Sequence, residues 1–155
     1  MGEVLRVGVR KGIEKVGLSA IPLNDLVSYY QLSKDHISIH VSGVDLSLAE
    51  KRRQMHDGLQ ELARSLTVEP NLSEVNVITA TSWIVGEYPK IIENLGFTVD
   101  TGLEHPLART SIRRYKSRSL VNIERKYKDK RPGFAWMGRV EFLQRYADDS
   151  SKHPL

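Results

Sequence analysis

The residues of this chain best suited to chemistry are five histidines, a few hydroxyls set into an apolar strand, and a basic stretch threaded with tyrosines. There is no cysteine, which removes disulfides, thiolate metal sites and a cysteine nucleophile. His36 and His40 stand at i and i+4 around Ser38 in a segment of alternating polarity. All three therefore point to one face of a strand. Strand rise sets the two imidazoles ~13 Å apart, too far to share one metal ion. His56 has no second ligand at helical spacing, and His105 precedes Pro106 in a loop. No zinc motif is present and no metal is expected; the histidines read as hydrogen-bonded or surface residues. Thr79, Thr81 and Ser82 interrupt an apolar strand. Such hydroxyls bond back to the main chain or face solvent as a rule, and line a pocket only where the strand leaves its neighbour. A triad needs serine, histidine and carboxylate together in space, so the catalytic residues stay unknown. Trp83 and Trp136 are expected to supply core area.

The strongest charge feature runs from Leu107 to Arg131. Ten basic residues there meet only Glu124 and Asp129, a net +8 that leaves −4 for the rest of a chain whose total is +4. Arg109 opens the run. Arg113, Arg114, Lys116 and Arg118 flank Tyr115, and Arg125, Lys126, Lys128, Lys130 and Arg131 flank Tyr127. Cations interleaved with rings suit phosphate contacts plus base stacking. One reading is therefore a non-enzymatic module that binds nucleic acid or another polyanion. The other is a solvated face, the commoner fate of a single-sign run. No ribonucleoprotein, helix-turn-helix or glycine-clamp pattern accompanies it.

The elements that must position these groups come from periodicity. The 155 residues, 40% hydrophobic and 27% charged, suit one α/β domain over residues 1–147 with a flexible tail at 148–155. No apolar run approaches ~20 residues, so no membrane span is expected. The N-terminus lacks a signal-peptide pattern, and a cytoplasmic location is the default. Val4–Val9 reads as a first strand, and Pro22 as the start of a short helix carrying Leu23, Leu26, Val27 and Tyr30. Ile37–Val41 alternates strictly, a second strand. Ser47 and Glu50 form a capping box for a long helix to Leu66, with Leu48, Met55, Leu59, Leu62 and Leu66 on one face. Gly58 inside it costs ~1 kcal/mol against alanine, which a close approach to a neighbouring strand would explain. Val75–Val85 is a buried strand. Pro89 starts a short helix with Ile91, Ile92 and Leu95 as its stripe, ended by Gly96 with Phe97 as the capping contact. Leu120–Ile123 reads as a strand inside the basic run, Phe134–Met137 as a last buried strand, and Arg139–Tyr146 as a closing helix. Helical crossovers between strands imply a sandwich built on a mixed or partly parallel sheet.

From Ile37 to Val99 this order, with Leu95-Gly96-Phe97, resembles the second half of a GNAT-type N-acyltransferase domain. There a central strand leads into a long helix, the next strand splays away, and a short helix ends in a similar turn. The resemblance implies a GNAT-like (acyl-CoA N-acyltransferase-like) fold, acetyl-CoA or another acyl-CoA as the donor, and a small-molecule or protein amine as acceptor. It implies that amides near Ser42, Gly43, Val44 and Ser47 hold the pyrophosphate at a helix N-terminus. It also implies that backbone groups from Val77 through Thr79 to Ser82 orient the pantetheine arm. The chain departs from the family in two places. Its turn, Ser42 to Ser47, has a single glycine and places Asp45 where phosphate would sit. Ile92 stands where the family often has a tyrosine acid, with Tyr88 four residues earlier. Two outcomes stay open, an atypical acyltransferase or a relative that kept the cleft without the chemistry. The ending AWMGRVEFLQRY also resembles that of small bacterial proteins to which no activity attaches.

Overall fold

The computed structural model describes residues 19–42, 45–121 and 131–147. The expected first strand at Val4–Val9, the Gly43-Val44 pair and the tail 148–155 lie outside the described residues.

Six strands form one sheet: β1 (Ile21–Pro22), β2 (Val27–Ser33), β3 (His36–Val41), β4 (Val77–Ser82), β5 (Thr98–Val99) and β6 (Gly133–Gly138). Their spatial order is β1-β2-β3-β4-β6-β5. The first three form an antiparallel meander, β3 and β4 are parallel, and β6 runs antiparallel to both β4 and β5. Five helices accompany them: α1 (Leu48–Val68), α2 (Trp83–Glu87), α3 (Pro89–Asn94), α4 (Ala108–Val121) and α5 (Arg139–Tyr146). The described residues thus form a mixed α/β sheet, and α1 makes the long crossover that the parallel β3–β4 pair requires.

Strand alternation sorts the sheet into two unlike faces. Ile37, Ile39, Ile78, Ala135 and Met137 share one face and join Leu59, Leu62 and Leu66 of α1 and Phe142 and Tyr146 of α5 in the main core. His36, Ser38, Thr79, Thr81, Phe134 and Trp136 share the other, which packs under α4.

Several expectations hold at the level of single residues. Ser47 caps α1 by accepting from the Glu50 amide at 3.1 Å. The Glu50 carboxylate completes no box, because Arg53 and Gln54 hold it instead. A Cβ on Gly58 would stand 2.9 Å from Val27 Cβ on β2, the close approach that justifies a glycine there. Pro89 opens α3, and Gly96 (φ +103°) closes it. The amides of Gly96 and Phe97 bond the carbonyls of Glu93 at 2.9 Å and Ile92 at 3.4 Å, the two bonds of a Schellman cap.

Other expectations need correction. The helix expected from Pro22 is a hairpin instead. Asn24 Oδ1 accepts from the amides of Leu26 (3.0 Å) and Val27 (2.8 Å), turning the chain from β1 into β2. The apparent helical spacing of Leu23 to Tyr30 arose because the apolar residues straddle that turn. Trp83-Ile84-Val85 leaves the strand for α2, since Ser82 pairs with the first residue of β6 and its hydroxyl caps the new helix from the Ile84 amide. Leu48 is 65% exposed and Ile91 53% exposed, so neither belongs to the buried stripe assigned to it. Leu120 and Val121 end α4 rather than starting a strand, while Asn122 and Ile123 lie outside the described residues. Helix α4 escaped the sequence pattern because Ala108, Ser111, Ile112 and Tyr115, not a leucine stripe, form its inner side.

Candidate functional site

The pairing of β3 with β4 runs from His36↔Val77 through Ile37↔Ile78 and Ser38↔Thr79 to Ile39↔Ala80, and stops there. His40 and Val41 continue alongside Ser28 and Val27 of β2. Thr81 and Ser82 continue alongside Phe134 and Gly133 of β6. Each strand keeps its outer partner and loses its inner one, so the two part over their last two residues. Backbone groups on the inner edges are thereby released from the ladder at the C-terminal ends of a parallel pair, where α/β sheets commonly hold ligands.

Below α4, polar groups gather beside that parting. Tyr30 lies opposite Ser38 across the β2–β3 ladder, and Ser38 lies beside Thr79, two residues before Thr81. Ser111 and Arg114, at i and i+3 on α4, come over them. Tyr30, Leu32, Ser38, Thr81, Ser111 and Arg114 enclose a small pocket. Ser111 is buried and Arg114 half-buried. The hydroxyl oxygen of Thr81 is shielded from solvent yet has no hydrogen-bond partner among the described residues, a state that costs about 1–3 kcal/mol.

Deeper on the same face, His36 Nε2 lies 2.8 Å from Thr79 Oγ1, itself 3.5 Å from the Ile37 carbonyl oxygen. Burial, then the positive charge of Arg114, hold the His36 imidazole down to about 4, with Asp35 opposing and His105 assisting. The ring is therefore neutral at pH 7. The His105 ring packs at a tilt against Trp136 and Phe134, with centroids 4.9 Å and 5.6 Å away, and its Nδ1 accepts from the Leu107 amide at 3.1 Å. Asp100 sets this loop by accepting from the amides of Glu104 (2.9 Å) and His105 (2.8 Å). Tyr115 reaches the end of β4, its hydroxyl accepting from the Trp83 amide at 3.3 Å.

The residues expected to hold a cofactor are spread along both strands. Ser42 is engaged through its amide with the Leu26 carbonyl (2.8 Å) and through its hydroxyl with the Asp25 carbonyl (3.0 Å). Gly43 and Val44 lie outside the described residues. The Ser47 hydroxyl is the helix cap, and the next two amides, of Leu48 and Ala49, have no partner among the described residues. Val77 sits at the far end of β4, ~16 Å by strand rise from Ser82, and both Val77 and Thr79 are paired on both sides. Of the hydroxyls, Ser82 caps α2 and Thr79 contacts His36, which leaves Thr81 as the one that faces the pocket.

The basic residues divide. Arg109 and Arg113 are exposed on the outer side of α4, Lys116 is exposed where it lines a cavity beside Ile112, and Arg114 turns inward. Arg118 lies in the last turn of α4, and its side chain is outside the described ones, as are Arg125 and Lys126. Sequence reasoning missed Tyr30, Ser38, Ser111 and the inward turn of Arg114. A signal existed: His36, Ser38, His40, Thr79 and Thr81 place a polar side chain at every second residue of two central strands.

A larger cavity of about 590 Å³ lies on the β5–β6 side of the sheet, walled by Phe134, Ile112, Val85 and Val99. Among the described residues no cluster of three or more His, Asp or Glu side chains could hold a metal ion. No described helix is long and apolar enough to cross a membrane. Compared with known proteins, the chain matches no family model, no curated protein and no solved structure.

Proposed function

We propose that this chain is a GNAT-like N-acyltransferase that moves an acyl group from coenzyme A to an amine. The observation that carries this reading is the parting of β3 and β4 after Ile39↔Ala80, with α1 as the crossover between them. An elongated amide-bearing arm fits such a gap, because the inner edges of Val41 and of Thr81–Ser82 offer unladdered backbone groups. The unpartnered amides of Leu48 and Ala49, at the positive end of a 21-residue helix, suit a phosphate. Asp45 beside them opposes it, so the phosphate grip is weaker than a glycine-rich turn would supply.

In such a transfer the neutral amine attacks the thioester carbonyl carbon, the C–S bond breaks, and the departing thiolate takes up the proton that the new amide nitrogen sheds. The chain's own part is positioning, with two strand edges to align the thioester. A thermal shift with acetyl-CoA tests the reading. A ligand that binds only the folded state at 100 times its Kd adds about 2.7 kcal/mol of stability. No shift at millimolar acetyl-CoA refutes it. Thiol release upon adding amines then separates an active transferase from a relative that has kept only the cleft.

The polyanion reading retains Arg109, Arg113 and Lys116 as exposed described cations. It loses two of its parts: Arg114 points under the helix, and Tyr115 is half-buried with its hydroxyl engaged.

A further inference from the structure

We infer that the cavity bounded by α2, β5, α4 and the start of β6 binds a small anionic amphiphile, a carboxylate carried on an apolar alkyl body. The inference is independent of the acyl-transfer reading and of the parted strands.

The cavity holds about 590 Å³, inside the range of about 300–1,000 Å³ that small-molecule sites occupy. Its apolar lining comes from Val85 and Phe134, both buried, and from Pro89, Val99, Leu103 and Ile112, all half-buried. Apolar surface left to water favours an apolar occupant. One side of the cavity is set by backbone rather than by adaptable side chains. A Cβ on Gly86 would stand 1.9 Å from the Arg131 carbonyl oxygen, and one on Gly133 would stand 2.7 Å from the Gly86 amide nitrogen. Helix α2 and the entry of β6 therefore meet main chain to main chain, and this side is preformed. Leu103 adds a second sign. It is the one non-glycine among the described residues with a positive φ, +53°, a region that disfavours leucine, and it lines the cavity. Strained backbone of this kind gathers at ligand sites.

The polar lining selects the head group. Lys116 and Arg131 are both exposed there, and neither side chain has an ion pair or hydrogen bond among the described residues. Asp100 is the acidic residue of the lining, and its carboxylate already accepts from the amides of Glu104 at 2.9 Å and His105 at 2.8 Å. Two cations without partners outweigh one engaged carboxylate, so an anionic head is favoured and an ammonium head is repelled. A carboxylate suits both the fork of a guanidinium and the point charge of an ammonium. A wholly polar anion would leave the apolar lining uncovered, which is why the ligand needs an alkyl body.

The test uses the full ¹⁵N-labelled chain and sodium octanoate, held below its micelle-forming concentration. Sodium butanoate and hexanoate shorten the body, and octylammonium chloride reverses the head. Octanoate is expected to shift the amide signals of Val99, Leu103, Ile112 and Gly133 saturably. Affinity should rise about threefold to fourfold for each added methylene, since a buried CH₂ is worth ~0.8 kcal/mol. Lys116→Gln combined with Arg131→Gln, two changes at exposed side chains, should weaken octanoate about tenfold. Arg113→Gln, on the outer side of α4, should bind as the parent does. Leu103→Gly relieves the left-handed backbone while removing part of the lining, so it should keep the urea midpoint near that of the parent and weaken octanoate several-fold. The proposal is overturned by unmoved signals at these residues, by affinity that ignores chain length, by octylammonium binding as tightly as octanoate, or by binding unchanged in the double variant. A single-stranded oligonucleotide that displaces octanoate and moves the same signals would also overturn it, in favour of a polyanion.

Discussion

His36 on β3 and Thr79 on β4 meet across the parallel pair, with Nε2 and Oγ1 2.8 Å apart. They do so on the polar face of the sheet, within reach of the field of Arg114. The contact joins an imidazole and a hydroxyl that would each be costly to bury alone.

Burial of the His36 ring, with the positive charge of Arg114 nearby, makes stability depend on pH. The folded pKa of His36 lies near 4 against an ordinary value of 6.5, so between these values the unfolded chain binds the extra proton. Stability therefore rises with pH across that window. The contribution is complete above about 6.5 and is lost as pH falls toward 4, on the order of 3 kcal/mol over the range. Urea unfolding at fixed pH steps should show this slope in the parent chain and a shallower one in His36→Gln. Equal slopes in both would mean that another group is responsible.

The contact of Gly58 with Val27 predicts an inverted helix-propensity effect. Alanine would ordinarily stabilise a helix by ~1 kcal/mol over glycine. Here its Cβ would press on the Val27 side chain at 2.9 Å, and the overpacking should win, for a net loss of about 1–2 kcal/mol. In a Val27→Gly background, which removes the Cβ that the new methyl would meet, the same substitution should cost less. Denaturant midpoints of the four chains measure the coupling, and perfect additivity would refute the contact.

Arg139 ties three segments together. Its guanidinium donates to the carbonyls of Leu66 (2.7 Å), Leu72 (2.9 Å) and Val75 (2.8 Å), joining the end of α1 to the entry of β4. Arg139→Met should cost roughly 2–4 kcal/mol by removing the donor to these carbonyls, of which only that of Leu72 keeps a backbone partner among the described residues, the Val75 amide at 3.2 Å. Arg139→Lys should recover only part, since a single ammonium cannot match a planar fork. Chemical denaturation reads both, and a lysine variant as stable as the parent would contradict the account.

Gly96 carries the turn from α3 into β5. At φ +103° a side chain is strained, and the new Cβ would also stand 2.7 Å from Arg145 Cδ. Gly96→Ala should cost about 1–2 kcal/mol, because this region of the backbone map admits glycine readily and other residues poorly. The Arg145 side chain can move, so most of the loss should persist in Gly96→Ala combined with Arg145→Ala. Hydrogen exchange at Phe97, whose amide closes the cap, should rise in the variant; unchanged protection there would argue against strain.

Strict alternation identified β3, because side chains at every second position must suit one face, and a short continuous apolar run identified β6. The capping serine and the leucine spacing identified α1, and proline, glycine and the following phenylalanine identified α3 with its cap. These signals act between residues a few positions apart, so they survive in a linear reading. Tertiary structure decided the rest. Leu23 to Tyr30 has helical spacing but forms a hairpin, since Asn24 turns the chain and β2 gains a partner in β3. The inner side of α4 contains Ser111 and Arg114, polar residues that no apolar pattern could reveal; only packing against Tyr30, Ser38 and Thr81 directs them inward. The parting of β3 from β4 likewise arises from competition among strands, with β2 and β6 holding the outer edges after Ala80. Local chemistry selected the pieces of this fold, and long-range pairing chose which polar groups would share a pocket.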